Sequence, residues 1–475
     1  MELLEKLEHY AETDQCPMHM PGHKRRDMGG GLPWQLDITE IDGFDNLHDA
    51  QGVLKDGMDR AAQLYGSKRA FFLVGGSTCG ILAGICAAAR PGDTVLLPRG
   101  CHKSVYHALE LRDLKPVYLP VPMDDGFGVS GSLRPETVAA ALEAHPEAKL
   151  VIVTSPTYEG VVSDVAAITA LAHQTGVPVL VDEAHGAHLG LAPWLPAGAV
   201  AAGADIVIQS AHKTLPSLTQ TALAHWNSDL VPAEEFARQL AIFETSSPSY
   251  LLMGSLDHCY ALLERQGAAL WEEYRKNLEA FDRRTAELRH LRILCHGGDT
   301  AAGHPDFFAF DPGKIVISTR GTNLTGPELM DLLRQRYHTE LEMAQADYAL
   351  AMTSLYDTPQ TLGRLADALL EIDGTLHTEA ALCSVPQCPL PRPRMSISAA
   401  RAAEGGLLPA EQAVGRVCGE MVWAYPPGIP LLAPGEEITA QVLEALRAMA
   451  ERGVALHAER SRPPRTLWAV KNTEG

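Results

Sequence analysis

The chain lacks the features that nucleic-acid binding and membrane insertion require. It carries 39 Lys and Arg against 59 Asp and Glu, a formal net charge of −20, whereas binding to phosphate backbones needs clustered cations. No uninterrupted apolar run is long enough to span a bilayer. The first residues are charged, and we expect no secretory signal. Neither nucleic acid nor a membrane is therefore expected as a partner.

Cysteine pairs with metal-ligand spacing are also lacking. The nine cysteines are scattered and no C-x-x-C pair occurs, so the spacing predicts neither a zinc site nor a disulfide framework, and we expect no metal. Thiols of this kind are typical of the reducing cytoplasm, which is the expected compartment. The acidic surplus mainly favours solubility, but it also fits a cationic small-molecule substrate.

What the chain does contain is an alternation of apolar runs and helical stretches from about residue 70 to 226. Continuous apolar strands with helical crossovers predict a mostly parallel sheet covered on both faces. The predicted strands are Ala70–Val74, Thr94–Pro98, Pro116–Val121, Leu150–Thr154, Val177–Asp182, Asp205–Gln209 and Thr221–Trp226. The predicted helices between them are Cys79–Ala89, Lys103–Arg112, Pro135–Ala144 and Val165–Thr175.

Polar residues follow five of these predicted strands. In a parallel sheet, ligands bind beyond the carboxyl ends of the strands, so these residues are expected to lie near a binding site. They are Ser77-Thr78, Arg99 to Lys103, Ser155 to Tyr158, Asp182 to His185 and Ser210 to Lys213.

The lysine after the sixth strand is the main candidate for chemistry. A single loop lysine is usually a surface residue, but Lys213 stands 31 residues after Asp182, an acid that closes a buried strand. A lysine amine can form an imine with a carbonyl cofactor, and pyridoxal 5′-phosphate (PLP) needs a carboxylate against its ring nitrogen. A Walker-type nucleotide site is excluded, because the one Gly-Lys pair is followed by Ile315.

Two further strand ends complete the pattern. Gly75-Gly76-Ser77-Thr78 forms a strand-to-helix turn whose backbone N–H groups and hydroxyls suit a phosphate. Helix capping alone would also explain Ser77 and Thr78. His102 follows the second strand, where a histidine can stack on a ring or supply a proton, although most of the 19 histidines must be structural.

Together these motifs resemble the Orn/Lys/Arg decarboxylase family of fold type I, aspartate aminotransferase-like, PLP enzymes. The resemblance also includes Met20-Pro-Gly-His-Lys24 and Tyr425-Pro-Pro-Gly-Ile-Pro-Leu-Leu-Ala-Pro-Gly-Glu436, and it covers about residues 15 to 440. It is strongest for the shorter form, similar to the Bacillus-type arginine decarboxylase, because the N-terminal wing domain of the large enterobacterial members is not expected here.

The resemblance implies a role for each motif residue. Lys213 would hold PLP as a Schiff base, and Asp182 would pair with the pyridinium nitrogen. His102 would stack on one ring face and Ala184 would pack on the other, while His185 stands where the large acid-inducible members carry Trp. The phosphate would be bound by Ser77, Thr78, Ser210 and His212.

The resemblance also implies an organisation and a reaction. We expect an N-terminal arm (1–50) and a PLP-binding large domain with a mostly parallel seven-stranded sheet (51–300). A smaller α+β C-terminal region is expected to follow, made of a small α/β domain (301–385) and a C-terminal decarboxylase domain (386–475). Thr245 and Ser246 would reach the phosphate of a neighbouring subunit in a homodimer or higher homo-oligomer, and Glu436 is a candidate reader of the substrate cation.

The implied reaction is decarboxylation of arginine, lysine or ornithine to a polyamine precursor, with Lys213 or His102 as proton donor to Cα. Transamination or aldol cleavage on the same fold stays open. Aminotransferases commonly hold the substrate α-carboxylate with a C-terminal arginine, and the C-terminal region here contains Arg392, Arg394 and Arg401. An inactive regulatory homologue is the alternative of another class. Retention of both the lysine and the acid argues against it.

Overall fold

The computed structural model describes residues 2–295, 301, 303–378, 389–390, 392–424 and 428–471. Two units can be distinguished. The first contains the residues up to Ala88 and Val165–Glu273, and the second contains Ala89–Asp164 and the residues from Tyr274 onward. Within the described part of the chain, every helix is too short or too polar to cross a membrane.

Helices and strands alternate along most of the chain. The α-helices are α1 (Leu3–Ala11), α2 (Val53–Tyr65), α3 (Gly76–Ala88), α4 (Lys103–Leu111), α5 (Pro135–Ala144), α6 (Val165–Gln174), α7 (Ala211–Thr214), α8 (Ala233–Phe243), α9 (Tyr250–Thr285), α10 (Gly326–Tyr337), α11 (Pro359–Asp373), α12 (Ile397–Ala402), α13 (Ala410–Ala413) and α14 (Ala440–Glu451). Short 3-10 helices span Trp34–Leu36 and Leu47–Asp49.

The strands are β1 (Arg69–Leu73), β2 (Thr94–Pro98), β3 (Lys115–Leu119), β4 (Leu150–Thr154), β5 (Val161–Val162), β6 (Val179–Asp182), β7 (Ile206–Gln209), β8 (Ala222–Trp226), β9 (Arg292–Ile293), β10 (Ala309–Phe310), β11 (Lys314–Ser318), β12 (Met343–Gln345), β13 (Tyr348–Met352), β14 (Gly405–Pro409), β15 (Val422–Ala424), β16 (Ile429–Leu432), β17 (Leu456–Ala458) and β18 (Thr466–Val470).

The seven predicted strands are confirmed as one seven-stranded sheet, in the order β1-β8-β7-β6-β4-β2-β3. The pairs β2–β3, β2–β4 and β6–β7 are parallel, whereas β8 is antiparallel to both of its neighbours. The predicted α/β fold with a mostly parallel sheet is therefore correct.

The boundaries of three elements differ from the predicted ones at positions next to a proline or at a glycine. Strand β6 begins at Val179 instead of Val177, since Pro178 has no N–H to donate to a ladder. Strand β3 ends at Leu119, directly before Pro120. Helix α3 begins at Gly76 and not at Cys79, so the predicted phosphate turn already forms the first turn of the helix.

Two glycines let α3 approach the strands of the first unit closely. A Cβ at Gly80 would lie 2.7 Å from Leu73 Cδ1, and one at Gly84 would lie 2.5 Å from Leu180 Cδ1. Distances this short leave no room for a side chain. These two glycines therefore allow α3 to pack closely against β1 and β6.

The second unit contains smaller antiparallel sheets besides its part of the large one. Strands β12, β13, β11 and β9 form a four-stranded sheet, packed around buried residues that include Phe127, Val316 and Leu350. Towards the C-terminus, β14–β18 and β16-β15-β17 enclose another core with α14, which includes Val422, Ile438 and Leu446. This part matches the α+β C-terminal region that the resemblance implies.

Candidate active site

Lys213 lies directly beyond the carboxyl end of β7. The strand ends at Gln209, and Ser210 and the short helix α7 bring the half-buried Lys213 side chain to the strand end. Its Nζ lies 2.9 Å from Nε2 of the buried His185. In this contact a Lys213 ammonium group would donate and His185 Nε2 would accept.

Asp182 closes the neighbouring strand β6, where it pairs with Ile208 of β7. It is 5% exposed, and the Ala184 N–H donates to its Oδ1 at 3.1 Å. Burial raises the pKa of Asp182, while the charge of Lys213 and the Ala184 hydrogen bond act in the opposite direction. The predicted lysine and carboxylate are therefore close enough for their charges to interact.

The turn between β1 and α3 has the backbone that a phosphate cradle requires. Gly76 has φ +77°, which glycine adopts without strain. Ser77 and Thr78 lie in the first turn of the 13-residue helix α3, where the backbone N–H groups have no intrahelical acceptor. These free donors and the helix dipole favour an anion.

Ser210 supplies a buried donor whose partner is absent from the described residues. The residue is 0% exposed, and its Oγ has no hydrogen-bond partner within the described part of the chain. Such groups are uncommon and costly in folded proteins. A hydroxyl of this kind beside the candidate Schiff-base lysine fits a bound phosphate. We conclude that the residues present suit the cofactor that the sequence implies.

His212 is held by the backbone on the same loop. Its Nδ1 donates to the Thr221 carbonyl oxygen at 2.8 Å. Burial lowers the pKa of His212, the Thr221 hydrogen bond raises it, and nearby Lys213 lowers it. The ring is therefore biased towards the neutral form, with its orientation fixed by Thr221.

His102 belongs to the second unit, beyond the end of β2. It is the N-cap of α4: its Nδ1 accepts from the Ser104 N–H at 3.3 Å and lies 2.9 Å from Ser104 Oγ. These bonds fix the ring orientation. Stacking on a cofactor stays a prediction for this residue.

The segment carrying Thr245 and Ser246 is exposed but firmly anchored. The preceding residue, Glu244, is buried, and its Oε2 accepts from the Val74 N–H at 3.1 Å and from Cys79 Sγ at 3.2 Å. Glu244 thus ties this segment to the turn before α3. No local sequence pattern indicates these contacts, because the partners of Glu244 lie 170 and 165 positions away along the chain.

Glu436 already has a protein partner in the second unit. Its carboxylate forms a bidentate ion pair with Arg99 at 2.8 and 2.9 Å. Substrate recognition by Glu436 stays a prediction, but the pairing favours a different role. Tyr425 to Pro427, at the start of the predicted C-terminal signature, lie outside the described residues.

Comparisons with known proteins agree with this fold and these motifs. Residues 2–323 match the profile of the Orn/Lys/Arg decarboxylase major domain, and residues 378–455 match that of the Orn/Lys/Arg decarboxylase C-terminal domain. The chain is 32% identical to an arginine decarboxylase of Bacillus anthracis over 99% of this chain and 97% of that protein. It is 33% identical to an arginine decarboxylase of Bacillus subtilis over 92% and 90%.

A solved structure shares the fold over nearly the full chain. The constitutive lysine decarboxylase of Escherichia coli superposes with a TM-score of 0.82 and 21% identity, covering 99% of this chain and 82% of that one. The similarity supports the fold, and the sequence matches support the predicted resemblance to the shorter form. The chain belongs to the Orn/Lys/Arg decarboxylase family.

Proposed function

We propose that the protein decarboxylates L-arginine to agmatine, with PLP bound covalently through Lys213. The observation that carries the cofactor assignment is the arrangement at the ends of β6 and β7. A lysine amine, a buried carboxylate and a buried hydroxyl without a partner in the described residues lie on adjacent strand ends. Family membership as a decarboxylase supports the reaction class.

Each residue then has one task. The N–H groups of the α3 first turn, Ser77, Thr78 and Ser210 bind the phosphate, and the phosphate charge favours the protonated form of His212, which can then donate from Nε2. Asp182 stays ionised against the ring nitrogen, because a second cation beside the buried carboxylate lowers its pKa from the raised value. Ala184 packs against the ring. When bound, PLP draws electrons from the substrate Cα, so that the bond to the carboxylate can break.

The contact between Lys213 and His185 supplies a route for a proton. Nζ and Nε2 are 2.9 Å apart, within the range for direct transfer. His185 can accept a proton when the lysine must be neutral and return it afterwards. Lys213 or His102 then protonates Cα of the product.

Arginine is the proposed substrate because the two similar curated relatives are named arginine decarboxylase and match over at least 90% of each chain. A formal net charge of −20 also favours a substrate with a cationic side chain. Lysine and ornithine share that cation and are the two comparison substrates.

We also propose a cytoplasmic homodimer. Thr245 and Ser246 are exposed on this chain, so they are available to a neighbouring subunit as the family resemblance implies. The scattered cysteines, without C-x-x-C spacing, fit a reducing compartment.

The assay is release of CO₂ from L-arginine, L-lysine and L-ornithine by purified protein supplied with PLP. We expect the highest kcat/KM with arginine and formation of agmatine. A preference for lysine or ornithine, giving cadaverine or putrescine, would overturn the substrate assignment. Formation of a keto acid without CO₂ would instead indicate transamination.

A further inference from the structure

A buried ion pair joins the segment after β2 to the C-terminal part of the chain. Besides the two bonds from Arg99, the Glu436 carboxylate accepts from Tyr118 Oη at 2.8 Å and from the Ala433 N–H at 2.7 Å. Glu436 is 2% exposed. Four donors leave the carboxylate little capacity for a further cation.

We propose that Glu436 is a positioning residue that acts through Arg99 on the segment carrying His102, rather than a reader of the substrate cation. This inference rests on the proposed function, in which His102 is one of two candidate proton donors to Cα. The matched C-terminal domain would thereby supply a residue that the major domain needs.

Tyr106 in α4 connects Arg99 to the helix that His102 caps. The Tyr106 Oη donates to the Arg99 carbonyl oxygen at 2.8 Å and accepts from Arg99 Nη1 at 3.0 Å. Tyr106 is fully buried, so Arg99 is tied to α4 one turn beyond His102. A displacement of Arg99 must therefore move the chain that enters α4.

Between these anchors Cys101 is fully buried, and Thr154 Oγ1 donates to its Sγ at 3.6 Å. A Cβ at Gly100 would meet no atom within 4 Å, so this residue is not held by packing. His102 itself is oriented by Ser104, which lies in the same segment. The Arg99 and Tyr106 contacts are therefore two of the restraints on the backbone that carries His102.

Loss of the Glu436 charge would disturb this arrangement. The guanidinium is largely buried, and its remaining side-chain partners would be the hydroxyls of Tyr106 and Tyr118. An uncompensated buried cation is costly and moves towards water or recruits it. Arg99 would leave its position, and the 99–106 segment would loosen.

The test compares Glu436→Gln, Arg99→Lys and the double variant with the wild-type holoenzyme. Arg99→Lys keeps the charge but loses the bidentate fork. Hydrogen exchange of peptides covering residues 99–106 reports the segment, and kcat and KM for arginine report its consequence. We expect faster exchange and a kcat lower by roughly tenfold to a hundredfold in both single variants, with a much smaller change in KM.

The double variant and a matched control sharpen the comparison. Since both substitutions act through one pair, their effects on kcat should be far from additive. Asp347→Asn is the control, because Asp347 is also partly buried in the second unit and pairs with Arg320 and Arg452. It should leave both exchange at 99–106 and kcat unchanged.

Distinct results would overturn the inference. A raised KM for arginine in Glu436→Gln, with unchanged exchange at 99–106, would show that Glu436 reads the substrate. Additive effects on kcat would also contradict the proposal. If circular dichroism shows that Glu436→Gln does not fold, Arg99→Lys, in which the buried carboxylate keeps a cation, carries the test. An inactive wild-type protein would refute the proposed function, while the exchange comparison would still decide the inference.

Discussion

We expect the environment of the buried Ser210 hydroxyl to change when the cofactor binds. In the described structure it is fully buried without a hydrogen-bond partner, a state that costs about 1–3 kcal/mol. Such groups are uncommon in folded proteins, and a bound ligand can supply the partner that the chain lacks. The free energy of unfolding should therefore respond to this hydroxyl in opposite ways with and without PLP.

For Ser210→Ala we expect unchanged or higher thermal stability without PLP, since a buried group without a partner is removed. With PLP we expect weaker cofactor binding and a smaller gain in Tm than in the wild type. Thermal unfolding with and without PLP measures both effects. Ser132→Ala is the control: Ser132 is buried, and its Oγ donates to the Val162 carbonyl oxygen at 2.7 Å, so this variant should lose stability in both conditions. A Ser210→Ala protein that is less stable without PLP would contradict the assignment.

Single residues also mark the limit of what the sequence can show. Lys213 and Asp182 could be identified from the sequence because Asp182 is the last residue of one recognisable apolar strand and Lys213 follows shortly after another. The Arg99–Glu436 pair joins residues 337 positions apart, and Glu244 reaches Val74 across 170 positions. No periodicity encodes such pairings, because side-chain partners across long loops depend on how the elements pack.

At the scale of elements, a buried polar network connects strands β6, β7 and β8. The Glu183 carboxyl group accepts from the Ala199 N–H and from Gln209 Nε2, both at 2.7 Å, and Gln209 Oε1 lies 3.1 Å from His225 Nε2. Burial raises the pKa of Glu183 to about 8 and lowers the pKa of His225 to about 3. Both groups are thus neutral in the fold near pH 7.

The two shifts act on stability in opposite pH ranges. The unfolded chain ionises Glu183 above its ordinary pKa of 4.5, whereas the folded chain keeps the proton up to about pH 8, so the free energy of unfolding falls as the pH rises between these values. The unfolded chain protonates His225 below 6.5, whereas the fold does not until about pH 3. Stability from this group therefore falls as the pH drops from 6.5 to 3.

We expect Glu183→Gln to flatten the loss of stability between pH 5 and pH 8. At pH 5 the variant should be less stable by about 1 kcal/mol. A glutamine side chain has one acceptor oxygen, so either the Ala199 N–H or Gln209 Nε2 would lose its acceptor. Urea unfolding midpoints at both pH values measure the effect. His225→Gln should instead flatten the loss below pH 6.5. An unchanged pH slope in Glu183→Gln would show that Glu183 is not the group responsible.

Element order was readily predicted, because apolar runs and helical spacing are local signals. Strands β2 and β4 and helices α4, α5 and α6 lie within the boundaries read from the sequence. The reversed direction of β8 was not specified in advance, since its run Ala222–Trp226 has the same apolar character as the parallel strands. Strand direction depends on the length and path of the preceding connection, which carries no such pattern.

At the scale of the whole molecule, the proposal requires an active site completed by a second subunit. Thr245 and Ser246 are exposed on their own chain while Glu244 anchors the segment. If Ser246 binds the phosphate in the neighbouring subunit, a dimer of one Lys213 variant and one Ser246 variant carries both substitutions in the same active site. The other site would then be intact.

Co-expression of Lys213→Ala with Ser246→Glu tests this arrangement, because a glutamate near a phosphate would repel it. Each variant alone should be inactive, and the mixed dimer, isolated with two different affinity tags, should regain decarboxylase activity. If Ser246 acts on its own subunit, both sites of the mixed dimer carry a defect. An inactive mixed dimer would then contradict the shared site.

The central claim is that Lys213 holds the cofactor. Borohydride reduction of the PLP-loaded protein, followed by proteolysis and mass spectrometry, locates the lysine that formed the imine. We expect one pyridoxyl-modified peptide, containing Lys213, and none in Lys213→Ala. A modification on another lysine, or no modification of protein saturated with PLP, would contradict the account.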